Sequence, residues 1–177
     1  MTRMLLSAVT LTTTLAATLG FGSVAFAVAL DDAAMVEVVH TANTGEIDAA
    51  KLASSKATSA DVKKFASMMI EDHTKADEKG TELAKKLELT PTKSAASMRV
   101  AKDSATAMKR LMGASPTSFD RAYMESQITA HTRVLAIIDK TLVPDVKSPE
   151  LKGFLEEVRA KVAMHLDKAK KIHAALP

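Results

Sequence analysis

The chain has no cysteine and no tryptophan, and aromatic residues make up only 3% of its 177 positions. Without cysteine there is no disulfide framework and no lipid-modified cysteine to serve as an anchor. With one tyrosine, five phenylalanines and no tryptophan, no stacking platform for bases or sugars can be built. Charge is also scarce in any one sign: the formal net charge is +3, of which Arg3 supplies one. Nucleic acid as a partner would call for a clustered basic face, so it is excluded. There is no Gly-x-Ser-x-Gly and no glycine-rich phosphate loop, and the serines fall on helix starts or polar faces. Nucleophilic catalysis and nucleotide chemistry therefore have no motif to rest on. A non-enzymatic role is preferred, and an oxidoreductase using a bound ion ranks last because no sequence feature selects a substrate. Beyond the first thirty residues no strand-like alternation occurs, and no solenoid-length repeat is seen.

Residues 1–27 read as a secretory signal peptide: Arg3, an apolar stretch from Leu5 to Leu19, and Ala25-Phe26-Ala27 as a small-x-small cleavage site. Export to a Gram-negative periplasm follows, with the mature chain starting near Val28. About 150 residues remain, enough for one domain with a proper core. That domain, residues 28–177, must hold itself together by packing alone.

What the domain does have is helical periodicity. Apolar residues at steps of four and three run through Met35, Val39, Ala42, Glu46, Ala49 and Ala53, and then through Val62, Ala66, Met69, His73, Ala76 and Gly80. A third seam holds Met124, Ile128, His131, Leu135 and Ile138, and a fourth Leu151, Leu155, Val158, Val162, His165 and Ala169. Such a stripe is the buried face of a bundled helix. Helix starts are marked by Asp31 or Asp32, by Thr58 with Asp61, by Thr117 with Asp120, and by Ser148-Pro149; Pro91, Gly113 and Pro144 mark stops. The pattern predicts helices over 32–57, 60–88, 117–142 and 149–175. It also predicts a shorter connecting helix within 89–116, with its own ladder of Met98, Ala101, Ala105, Met108 and Met112. Arg99, Lys102, Lys109 and Arg110 make that helix basic, a face for an anionic membrane surface or an envelope protein, or a crossover helix with its lysines in water. The latter is preferred. The fold class is all-α, a four-helix bundle with an additional connecting helix between two helical hairpins.

Each of the four seams is interrupted once, by Glu46, His73, His131 and His165. Counting about 1.5 Å per residue from the turns puts the four near one height. Unpartnered, each would cost several kcal/mol in desolvation, of order 2–7. They must satisfy one another or bind a metal. One carboxylate and three imidazoles suit a single Zn, Fe, Mn, Ni or Cu ion. The alternative is a metal-free polar layer that fixes helix pairing in a structural or interaction bundle of the cell envelope. A di-iron centre is not indicated, because Ile70, Ile128 and Val162 stand three residues before the histidines where Glu-x-x-His would place glutamates. Asp72 and Asp77 flank His73, and Gln127 precedes His131 by one turn; each is placed to orient an imidazole from behind. For the two aspartates a solvated acidic face is the preferred alternative. Methionine as core filler is preferred over soft-metal binding for Met68, Met69, Met124 and Met164.

The stretches Phe65-Ala66-x-x-Met69-x-x-Asp72-His73-Thr74-Lys75-Ala76, Phe119-Asp120-Arg121-Ala122-Tyr123-Met124 with His131, and His165-Leu166 resemble an uncharacterised bacterial family over residues 33–175. That family is a ferritin-like domain of unknown function, usually labelled outer membrane protein. The resemblance implies a ferritin-like bundle and an exported location, and it falls on Glu46, Asp72, His73, His131 and His165. It implies no established activity. One departure is visible: relatives often carry a proline shortly before the last histidine, where this chain reads Val158-Arg159-Ala160-Lys161. Outer-membrane spans are β-barrels, so the label fits a periplasmic domain, associated with that membrane at most, better than an integral one.

Overall fold

The computed structural model describes residues 30–177; the signal peptide expected over 1–27 lies outside them. Among the described residues there are helices and no strands. The order is α1 (Asp32–Lys56), α2 (Ala60–Lys86), α3 (Ala95–Met112), α4 (Pro116–Ile137), a π-helical segment (Ile138–Leu142), the single turn α5 (Val143–Asp145) and α6 (Pro149–Ala175). None of these helices is long and apolar enough to cross a membrane.

The chain runs down α1 and up α2, returns down α3, then goes up α4 and down α6. Three contacts fix this course. Thr58 at the lower turn meets Asp120 near the start of α4, and Asp32 accepts from Lys147 N (3.0 Å) and Ser148 N (2.8 Å) at the upper end. Arg121 Nη2 donates to the carbonyl of Leu176 (2.9 Å), bringing the end of α6 to the start of α4. The crossover by α3 therefore makes α2 and α4 parallel, and they stand diagonally across the bundle with α1 and α6 between them. The α3 helix packs outside, against α1 and α4. Its approach to α1 is close because Gly45 has no side chain: a Cβ there would stand 2.5 Å from Ser104 Oγ.

Several local expectations need correction. Asp120 does not cap its own helix: its carboxylate accepts from Ser59 N (2.7 Å), Thr58 N (3.1 Å) and Thr58 Oγ1 (2.6 Å), so it terminates the first hairpin from across the bundle. The N-cap of α2 is Ser59, and α4 begins at Ser115-Pro116 with no side-chain cap. Pro144 does not stop the helix. Its ring clashes with the carbonyl four residues back, and the chain widens instead, with Val143 N–H donating to Ile138 O in a π turn. Most of the ladder in α3 faces outward: Met98 is 59% and Met112 61% exposed, only Met108 packs against the core, and the helix buries Ser97, Val100 and Leu111. One of its cations, Arg110, pairs with Glu125 (2.5 Å), and its acid Asp103 takes Arg133 of α4 (2.7 Å).

The core has two halves. The lower one gathers Ala50, Ala53, Phe65, Met69, Phe119, Tyr123 and Met124; the upper one Met35, Val39, Ile138, Leu142, Leu151 and Leu155. Between them lies a buried polar layer of Asn43, His73, Gln127, His131 and His165.

Candidate metal centre

Helical spacing places the layer. His73, His131 and His165 occupy core positions midway along α2, α4 and α6, and all three are buried, His165 completely. Their ring centroids stand 5.3 Å (His73 to His165), 5.5 Å (His131 to His165) and 5.9 Å (His73 to His131) apart. One ring nitrogen from each lies within 4.8 Å of the other two. Imidazoles sharing an ion at about 2.0–2.1 Å have centroids roughly 5–5.5 Å apart. Nitrogens that share such an ion stand about 3.3–3.6 Å apart, so the rings must close inward by up to roughly an ångström to hold one together.

The protonation pattern is as informative as the spacing. His73 Nδ1 lies 2.9 Å from Asn43 Oδ1, His131 Nδ1 lies 2.8 Å from the carbonyl of Gln127, and His165 Nε2 lies 2.9 Å from Asp72 Oδ2. Each of these partners is an acceptor, so each imidazole must donate there, and its other nitrogen carries a lone pair. Those other nitrogens, His73 Nε2, His131 Nε2 and His165 Nδ1, are buried without a hydrogen-bond partner among the described residues. Three neutral imidazoles with three unused lone pairs are what a divalent ion binds, and acceptors held behind metal-binding histidines usually fix the tautomer in this way.

The charge state agrees. Burial, followed by the neighbouring His131 and His165, lowers the His73 pKa to about 3. Burial also lowers His165, although its hydrogen bond to Asp72 works in the opposite direction. For Asp72, burial pushes the carboxyl up, but the hydrogen bonds from His165 and Lys161 outweigh it and hold it below the usual carboxylate value. A carboxylate backs the His165 imidazole, while burial disfavours a charge on His73 and His165.

The remaining expected residues fall around this triad. Glu46 lies on α1 and borders the same small cavity as His73 and His131, but it is not among the three groups that converge. Its Oε2 accepts from Gln127 Nε2 at 2.7 Å. Asp72 orients His165 on α6, not its neighbour His73, because successive helical residues point apart. Asp77 turns away from the layer and pairs with the exposed His40 at 2.8 Å. Gln127 supports His131 with its backbone carbonyl while its side chain serves Glu46. Asn43 was not foreseen. It lies one residue past the seam position Ala42 and three before Glu46, and that spacing was the available signal.

A family described as "Domain of unknown function (DUF4142)" matches residues 22–172. A search of curated proteins finds no match. Among solved structures, "CopM in the Cu(II)-bound form" is similar, with a TM-score of 0.65 and 17% identity over 83% of this chain and 98% of that one. At that identity the likeness shows the fold, a helical bundle of the same type.

Proposed function

The chain belongs to the DUF4142 family, and from that premise we propose that it binds one copper ion through His73, His131 and His165. The observation that carries this is the set of three buried, unpartnered imidazole nitrogens whose opposite nitrogens are all committed to acceptors. A layer that served only to pair helices would satisfy its own hydrogen bonds. Leaving three acceptors bare costs about 1–3 kcal/mol each, and a shared ion removes that penalty in one step.

The donor set favours copper. Three nitrogens without a thiolate suit copper, zinc, iron or nickel, and among the divalent ions Cu(II) binds such sites most tightly. A bundle of the same fold is described with Cu(II) bound. Glu46 stands near the triad, tied to Gln127, as a negative charge beside the cation. The ion supplies electrophilic and redox character when bound. The residues hold it neutral-ligated, buried between two apolar layers and away from solvent. That arrangement suits sequestration of a redox-active ion and protection from its reactions more than turnover. The leader that the sequence leads one to expect over residues 1–27 is the support for a periplasmic location.

Titration of metal-free protein with Cu(II) should saturate at one equivalent, with nitrogen couplings from imidazoles in its electron paramagnetic resonance spectrum. His73→Ala and His131→Ala proteins that stay folded by circular dichroism should lose that equivalent. No binding of Cu, Zn, Fe or Mn by the folded parent would sink the proposal and leave a metal-free envelope bundle. Fractionation, with the mature protein starting near Val28, checks the location.

A further inference from the structure

Among the described residues the large apolar side chains left in water are Met98, Met112 and Met164, and the first two share one face of α3. They stand about four turns apart, roughly 21 Å along the axis. Ala101 and Ala105, both exposed, lie between them on the same face. The opposite side of the helix, with Ser97, Val100 and Leu111, is the one buried against α1 and α4. Scattered exposed apolar residues are ordinary, but two aligned across small residues make a stripe.

The charge around this stripe is of one sign. Lys102 and Lys109 continue the exposed face beside the methionines, and Arg99 lies at its edge. None of these three pairs with a carboxylate among the described residues. Lys56 reaches over from the end of α1 and donates to the carbonyl of Met112 at 3.1 Å. Each exposed methionine of α3 therefore has two cations beside it, Arg99 and Lys102 at Met98, Lys109 and Lys56 at Met112. The one acid of α3, Asp103, is half-buried and held by Arg133, and Glu125 on α4 is taken by Arg110.

We propose that the outward face of α3 docks on an anionic lipid surface. The unbranched methionines enter between the headgroups, the lysine stems lie along the apolar boundary, and their ammonium groups reach the phosphates. A second copy of the chain meeting this one through the same face would set cations against cations, which opposes self-association there. Only the outer half of α3 is free, so the contact is shallow and reversible. Because α3 covers the α1–α4 side of the bundle, docking turns the α2–α6 side, where Lys161 pairs with Asp72, towards solvent. The proposal does not depend on the copper reading.

The mature protein should sediment at low salt with vesicles of equal parts phosphatidylglycerol and phosphatidylcholine, and stay in solution with phosphatidylcholine alone. Each cation beside an anionic surface adds about five-fold to partitioning, so Lys102→Gln with Lys109→Gln should weaken it roughly 25-fold. Met98→Ser with Met112→Ser should weaken it several-fold at unchanged charge. Lys63→Gln with Lys64→Gln removes the same charge from exposed positions on α2 and should leave binding almost unchanged. All these positions are exposed, and circular dichroism checks that helical content is kept. No binding to the charged vesicles overturns the proposal, and retention on polyglutamate in that case assigns the face to an acidic protein. Equal loss in the two lysine pairs overturns it, because net charge alone would then drive the binding. Binding indifferent to the methionine pair overturns it as well, because the charges would then act without the apolar contact.

Discussion

His73 is kept neutral by burial and by the two imidazoles it faces, and that neutrality makes the metal-free protein sensitive to acid. Its pKa is about 3 in the fold and about 6.5 in an unfolded chain. Between those values the unfolded state takes up a proton that the native state refuses. The stability tied to this group is thus complete above about pH 6.5 and is lost progressively as pH falls towards 3. The thermal midpoint of metal-free protein should decline steadily from pH 7 to pH 4, and His73→Gln should flatten that decline. A variant with the parent's slope would remove His73 as the cause. Asp72 acts one bond further out. Removing its carboxylate in Asp72→Ala leaves His165 Nε2 without an acceptor and frees the ring to take the wrong tautomer. Copper affinity should fall about 10–100-fold, with helical content unchanged, and Asp72→Asn should recover part of the loss because its amide oxygen still accepts. Unaltered affinity in the alanine variant would show that the ring is positioned by packing alone.

At the scale of elements, Asp120 shows how one helix can finish another. It closes the α1–α2 turn through three donors while sitting in the first turns of α4. Asp120→Ala leaves those donors without their acceptor at a part-buried turn, and a loss of about 1–2 kcal/mol is expected, read from urea midpoints at constant slope. A loss under 0.5 kcal/mol would mean that water replaces the carboxylate there. This cap also marks the boundary of what the sequence discloses. The 4-3 periodicity revealed the four long helices to within a few residues and brought His73, His131 and His165 to the centre, because spacing along a helix maps directly onto direction. Asp120 and Asp72 were assigned to partners on their own helices because only local partners are visible in one dimension. Asn43 escapes because the imidazole it holds is on another helix: Gln127 stands one turn from His131, whereas Asn43 on α1 meets His73 on α2, 30 residues away in the chain. For α3 the apolar residues misled. It packs on one side only, burying Ser97, Val100 and Leu111, with the half-buried Ser104 small enough for the backbones to approach at Gly45. Methionines marked hydrophobicity, whereas closeness required small size.

For the molecule as a whole, the polar layer divides the core into two apolar halves that are continuous only through the helices themselves. In metal-free protein this middle section contributes three bare imidazole nitrogens, with Asn43 Nδ2 and Gln127 Oε1 also unpartnered, and little apolar burial, so it is the weakest slice of the bundle. An ion joining α2, α4 and α6 at that height ties three of the four long helices at one point, where the existing hydrogen bonds join helices only in pairs: His165 with Asp72, His73 with Asn43, and Gln127 with Glu46. Any ligand that binds only the native state stabilises it, by about 2.7 kcal/mol at a free concentration one hundred times its dissociation constant. For a domain of this size that corresponds to a rise in thermal midpoint of roughly 5–10 °C. The gain should appear in both halves together: amide hydrogen exchange around Phe65 and Met124 below the layer, and around Leu151 and Leu155 above it, should slow by a similar factor when copper is added. His165→Ala should abolish the rise. Protection confined to a few residues beside the histidines, with the two halves unaffected, would mean that the ion binds locally without joining the core.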